Sequence, residues 1–235
     1  MTRLLRNLFK SSLGKKYLMA GSGAVLFLFV VGHLAGNLQI FIGPESLNRY
    51  GNFLQTNVEV LWPVRIVLLI LIGIHIWSAT KLTLENRVAR PQAYQQWGPT
   101  VASYASRTMM YSGVIVAIFI IYHLLHFTVM VKGVNFTGHD FDARPEFLDA
   151  KGRHDIYKMM ITGFSVWWVS AFYILGVGLL CLHLSHGISA MFQSMGWKKR
   201  SYGPLLDGAA KWVSILIFLG YISIPVSILC GWVHL

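Results

Sequence analysis

Residues 17–42 read YLMAGSGAVLFLFVVGHLAGNLQIFI, a run without one Asp, Glu, Lys or Arg and with a single histidine, His33. An uncharged apolar stretch of 18 or more residues reads as a helix crossing about 30 Å of hydrocarbon. Basic residues precede it (Arg3, Arg6, Lys10, Lys15 and Lys16), as they would a secretory signal. A signal core, however, runs only about 7–15 residues, so this run is a true span. Just before it, Leu4, Leu5, Leu8 and Phe9 share one helical face and Arg3, Arg6 and Lys10 lie elsewhere. That pattern predicts a short amphipathic helix lying in the membrane interface.

Four more apolar runs long enough to cross follow, and the five are placed near 17–42, 62–84, 106–131, 160–192 and 211–233. Composition agrees. The 235 residues are 55% hydrophobic and 12% charged, about half the charge of a soluble domain, so lipid faces most of the surface. The expected fold is all-α, one integral membrane domain over 1–235, with no internal repeat, low-complexity tract or second domain. The net charge of +11 does not point to nucleic acid, because the basic residues cluster beside the apolar runs, where they act as topology signals. Cys181 and Cys230 lie in apolar stretches without a haem-attachment or zinc spacing and read as small buried apolar residues.

Five spans put the termini on opposite sides. The N-terminal side carries all the Lys and Arg of the 20 in the chain except Arg49, Arg65, Lys132, Arg144, Lys151, Arg153 and Lys158, against two acids, Glu85 and Asp207. The positive-inside rule therefore places the N-terminus in the cytoplasm and the loop near 132–159 outside.

Ionisable groups inside a span are costly and read as functional. Histidines occupy the first four spans: His33, His75, His123 with His126, and His183 with His186. His139, His154 and His234 fall outside and are expected to be solvated. Spans one and three run outward, and His33 and His123 lie past their midpoints by roughly 6 and 5 Å at 1.5 Å per residue. Spans two and four run inward, so His75 and His183 are displaced toward the cytoplasm. Four histidines thus sort into an outer pair, His33 with His123, and an inner pair, His75 with His183. Two imidazoles facing one another from neighbouring helices form a bis-histidine haem site in a bundle. Glycines flank them (Gly32, Gly36, Gly73, Gly176, Gly178 and Gly187), giving room for a flat porphyrin or a neighbouring helix. A proton relay would add intramembrane Asp or Glu, and no span has one in its middle. Without attachment cysteines the two haems are of b type. His126 and His186 stand one helical step past a ligand, in matching H-x-x-H pairs, as haem-edge or propionate contacts or packing residues. Arg107, opening span three, is a candidate propionate partner because a planar guanidinium binds a carboxylate by two hydrogen bonds.

The motifs carry a resemblance. Lys15-Lys16-Tyr-Leu-Met-Ala-Gly-Ser-Gly followed by His33-Leu-Ala-Gly-Asn-Leu is similar to the first span of the cytochrome b subunit of succinate dehydrogenase and quinol:fumarate reductase, in its single-chain, five-helix, two-haem b558 type. Glu85-Asn-Arg-Val-Ala-Arg-Pro, Ala105-Ser-Arg and His183-Leu-Ser-His-Gly-Ile-Ser-Ala-Met-Phe-Gln-Ser-Met-Gly-Trp extend it over most of the chain. The resemblance implies one haem ligand from each of the first four spans. It is mainly this that favours His123 over His126 and His183 over His186. It further implies a bacterial inner-membrane anchor for an iron–sulfur subunit and a flavoprotein subunit on the cytoplasmic face. Electrons would pass to or from a quinone, commonly menaquinone, with no succinate or FAD site on this chain. Candidate quinone residues are Glu59, Trp62 and Arg65 at the external end of span two. Two haems in a bundle would equally serve a hydrogenase, formate dehydrogenase or nitrate reductase anchor, and the motifs favour succinate dehydrogenase.

Orientation is directly testable. In a chain lacking its two native cysteines, a membrane-impermeant thiol reagent on intact cells should label Arg144→Cys and spare Lys199→Cys. The opposite labelling would invert the topology.

Overall fold

The computed structural model describes residues 3–89, 104–143 and 145–235, with the side chains of 3–6 and 104–107 outside the described set. Arg90 and Arg144 therefore lie outside the described residues, and so does the side chain of Arg107. The helices are α1 (Arg3–Lys10), α2 (Ser12–Asn37), α3 (Pro44–Thr56), α4 (Val58–Val88), α5 (Tyr104–Phe127), α6 (Ile156–Phe164), α7 (Trp167–Ser194) and α8 (Gly203–Leu229), with a 3₁₀ turn at Leu38–Phe41. Five segments are long and apolar enough to cross a membrane: Ser12–Phe41, Val58–Val88, Thr108–Phe127, Trp167–Ser194 and Gly203–Leu229. No strand forms among the described residues, only an isolated bridge between Leu148 and His154.

The helices do not coincide with the apolar stretches that announce them: α4 outruns its stretch at both ends, whereas α2, α5 and α8 start earlier and stop at 37, 127 and 229, short of the expected 42, 131 and 233. The 31 residues of α4 measure about 45 Å at 1.5 Å per residue, beyond what hydrocarbon requires. Helix continues through the polar ends, as where α8 opens with Gly203-Pro204, eight positions before the apolar run expected at 211. Proline near a helix start gives up an N–H that has no partner there anyway.

The fourth apolar run is not one helix from 160. It divides into α6 and α7 at Ser165 and Val166. Asp155 caps α6 by accepting from the Lys158 N–H, and the Ser170 hydroxyl donates to the Phe164 carbonyl at 2.6 Å. The second of these bonds lies across the break while the residues around it stay apolar, which is why composition does not reveal it.

Contacts gather into two compact units, one of residues 1–29, 66–114 and 182–214, the other of 30–65, 115–181 and 215–235. In the first, α1 folds against the start of α2. A Cβ on Gly14 would sit 2.4 Å from the Leu8 carbonyl oxygen, so only glycine permits the approach, and the Ser11 hydroxyl caps α2 by accepting from the Gly14 N–H. Phe9 meets Trp77 edge to face at 5.6 Å. The buried Lys15 ammonium lies between the Lys10 carbonyl at 3.1 Å and the Glu85 carboxylate at 2.5 Å. Lys198 pairs with Asp207 at 2.7 Å and bonds Ser189 at 2.9 Å, and Ser189 also donates to Asp207.

The second unit holds α3 and the segment near 132–159. Gly43 takes φ +124°, a conformation that disfavours any side chain, and Pro44 then starts α3. Asn48 on α3 is almost fully buried, donating to Asp155 at 2.9 Å and accepting from the Tyr157 N–H at 2.9 Å. Gly51 lies so close to Ile156 that a Cβ would overlap its side chain. Glu45 binds Arg153 at 2.7 Å and Lys151 at 3.0 Å, and the bonds from Arg153 and then Lys151 hold its carboxyl down at about 2. The 132–159 segment has a small core of its own, Phe141, Phe147 and Met159, backed by Phe127, Met130 and Ile156. His154 is not simply solvated, because its Nε2 donates to the Phe141 carbonyl at 3.0 Å. Cys181 is buried as expected, whereas Cys230 follows α8 and is exposed.

Asn48→Ala should therefore cost about 1–3 kcal/mol, the penalty of leaving the Tyr157 N–H without its acceptor and removing one of the two donors on Asp155 Oδ1. Thermal unfolding of the purified protein would measure it, and an unchanged midpoint would contradict the linchpin role of Asn48.

Candidate functional site

In the first unit, His75 on α4 and His183 on α7 face one another with ring centroids 6.3 Å apart and planes at 67°. In the second, His33 on α2 and His123 on α5 stand 5.7 Å apart at 76°. These are the pairs that depth in the sequence assigns. Two metal–nitrogen bonds of about 2 Å each, with the two ring radii added, set a pair of ligating imidazole centroids roughly 6–6.5 Å apart. The His75–His183 pair falls within that range, and the His33–His123 pair lies a little below it.

The remaining contacts decide which nitrogen is free. His75 Nδ1 lies 3.2 Å from the Met19 carbonyl oxygen and 3.3 Å from the Ser22 hydroxyl. A carbonyl only accepts, so Nδ1 carries the proton and the Nε2 lone pair is left for a metal. His183 Nδ1 lies 3.2 Å from the Ser112 hydroxyl. A Cβ on Gly23 would come within 3.2 Å of His75 Cε1, and one on Gly113 within 3.5 Å of His183 Cε1. The Ser-Gly step of each helix thus lies against the imidazole of another.

The outer pair is set differently. Tyr173 on α7 lies 3.0 Å from His126 Nδ1 and 3.5 Å from His123 Nδ1 through its single hydroxyl. Phe119 stacks on His123 at 6.4 Å. His33 Nε2 accepts from Asn37 Nδ2 at 3.2 Å, one turn on along α2, and coordinating a metal through that nitrogen would exchange this bond for a coordinate one.

The second members of the H-x-x-H pairs are placed elsewhere. His126 is fully buried, stacked on Phe127 at 3.9 Å, and its Nε2 has no hydrogen-bond partner among the described residues. A Cβ on Gly163 would lie 3.2 Å from that nitrogen, so the neighbouring backbone closes it in. His186 stands within electrostatic reach of Lys198 and Asp207. Of the flanking glycines, Gly36 is met by Tyr50 and Gly176 by Phe119 at distances that exclude a Cβ, while Gly32, Gly73 and Gly187 have nothing within 4 Å.

Glu59, Trp62 and Arg65 share the first turns of α4, with Arg65 5.4 Å over the Trp62 ring and Glu59 exposed. They form a polar and aromatic face rather than an enclosed pocket.

No cluster of three or more His, Cys, Asp or Glu side chains suited to a metal occurs among the described residues. Two imidazoles are too few for a bare zinc ion, which takes three or four protein ligands. They are the number required by an iron whose other four ligands come from a porphyrin. The donor set therefore fits haem.

One signal was present in the sequence and unread. Ser22-Gly23 precedes His33, and Ser112-Gly113 precedes His123, with the same serine-to-histidine spacing in both helices. This is an internal repeat, and in each copy the serine serves one histidine pair and the histidine belongs to the other. No protein family, curated protein or solved structure matches the chain.

Gly176→Val should displace Phe119 from the His123 ring, because a Cβ there would fall 2.4 Å from Phe119 Cδ2. Overpacking of this kind costs about 1–3 kcal/mol. Gly178→Ala, which meets Phe218 at an ordinary 3.6 Å, should be tolerated. Equal thermal stability of the two variants would contradict this packing.

Proposed function

We propose that this chain is a di-haem cytochrome b, the membrane anchor of a succinate dehydrogenase or quinol:fumarate reductase complex in a bacterial inner membrane. The observation that carries the reading is the pair of facing histidine couples at 5.7 and 6.3 Å, drawn one from each of the first four spans. Haem b supplies a one-electron iron centre in an apolar setting. His75 and His183 hold the inner one; His33 and His123 hold the outer one. Met19 and Ser22 fix the His75 ring, and Tyr173 and Phe119 support the His123 ring. His126, closed in by Gly163, is a packing and anchoring residue. Arg107 is assigned to a propionate, and His186 to the polar group at the Lys198 end of α7.

The quinone, menaquinone by the resemblance, is assigned to the outer end of α4, where Glu59 offers a proton-accepting carboxylate and Trp62 with Arg65 an aromatic and cationic face. The iron–sulfur and flavoprotein subunits are assigned to the cytoplasmic side. Lys15 and Lys198 are bound to Glu85 and Asp207, whereas Lys199 and Arg200 are exposed. Lys10, Lys16, Lys81 and Arg87 are exposed as well, and together with that pair they form the basic surface available to steer an acidic subunit. The N-terminus is cytoplasmic in this reading.

Single replacements test the pairing. His33→Ala and His123→Ala should each remove one and the same component of the reduced-minus-oxidised spectrum. His75→Ala and His183→Ala should remove the other. His126→Ala and His186→Ala should keep both. Loss of one shared component in His33→Ala and His75→Ala would refute the assignment.

A further inference from the structure

The inner pair is held by two serines in matching positions, and their hydrogen bonds have a direction. On α2, the Ser22 hydroxyl donates to the Leu18 carbonyl at 2.7 Å. On α5, the Ser112 hydroxyl donates to the Met109 carbonyl at 3.0 Å. A serine has one proton. Each is committed to its own helix, so each oxygen presents a lone pair to the imidazole beside it, at 3.3 Å for His75 and 3.2 Å for His183. Both imidazoles must then donate from Nδ1 and keep Nε2 bare. Serine bonded back to its own helix is common in membranes and alone would mean little. Here the arrangement occurs twice, on two helices, each time followed by a glycine lying against the same ring.

We infer that Ser22 and Ser112 are positioning residues for the inner haem: they orient His75 and His183, fix their Nδ1–H tautomer, and set the electron-donating strength of both ligands. The inference rests on the di-haem reading and adds to it the groups that tune one haem independently of the other. A ligating imidazole that donates its second N–H is more basic and binds the oxidised metal more strongly. Deleting the acceptor weakens the ligand, favours the reduced iron and raises the potential.

The two serines are not equivalent. His75 keeps the Met19 carbonyl if Ser22 is lost. His183 has no second Nδ1 acceptor among the described residues. The larger effect therefore belongs to Ser112.

The experiment is a redox titration of the purified protein, following the spectral component that His75→Ala removes. In Ser112→Ala that component should shift to higher potential, or its haem should be held at least about 10-fold more weakly, the usual scale for loss of a ligand's outer partner. Ser22→Ala should shift it less, Ser112→Thr should restore it, and the other component should stay in place in all three. The inference is overturned if Ser112→Ala retains the haem at unchanged potential, if the alanine and threonine variants behave alike, or if the outer component moves instead. A wild-type protein with no haem would overturn both this inference and the functional reading. A wild-type protein with two haems and indifferent serines would overturn this inference alone.

Discussion

A neutral imidazole carries one donor and one acceptor, and hydrocarbon offers neither a partner. Each nitrogen placed in a membrane span must therefore be satisfied from within the protein, or remain at a cost of several kcal/mol. The chain places six imidazoles in its spans, and the structure answers them in distinct ways. His75 and His183 turn Nδ1 onto serines and a carbonyl and face each other, with no hydrogen bond at Nε2 among the described residues. His126 bonds Tyr173 on one side and leaves the other nitrogen unpaired against Gly163. His33 accepts from Asn37. Paired rings with a prepared tautomer are what a bis-histidine metal centre needs, and a lone core histidine has no such requirement.

The rest of each unit serves the placement of those rings. At the basic ends, Lys15 with Glu85 and Lys198 with Asp207 join elements within the unit that holds His75 and His183. Such pairs, partly buried, fix register more than they stabilise. In the other unit, α3 is bound to the start of α6 by Asn48 and by the Glu45–Arg153 pair. The aromatic group of Phe119, Tyr122, Phe172 and Tyr173 packs beside His123. The phenylalanine rings provide a rigid wall that needs no hydrogen bonds, and the Tyr122 and Tyr173 hydroxyls bond the Val134 carbonyl and His126.

The five spans were legible because a long, predominantly apolar run must be helical in lipid. Helix ends were less so, since helices persist past the hydrocarbon boundary and composition stops reporting there. The division of the fourth run at Ser165 was hidden because its residues are apolar on both sides, and only the Ser170 hydroxyl marks it. The α3 helix carried a usable sign in Gly43-Pro44-Glu45, a glycine at a helix border, a proline at the first position and an acid in the first turn. Pairing of His33 with His123 and His75 with His183 followed from depth alone, because alternate spans run in opposite directions. The choice within each H-x-x-H pair did not: it rests mainly on the resemblance, and Gly163, which lies against His126, is distant in sequence. The Ser-Gly steps were visible as a repeat, but their meaning requires knowing which imidazole each one touches.

The measurement that bears most directly on the central claim is haem counted per chain, by a dithionite-reduced minus oxidised spectrum of the purified protein. Two non-covalent b-type haems per polypeptide are expected, one for each histidine pair. A protein with no haem, with one, or with haem bound covalently would contradict it.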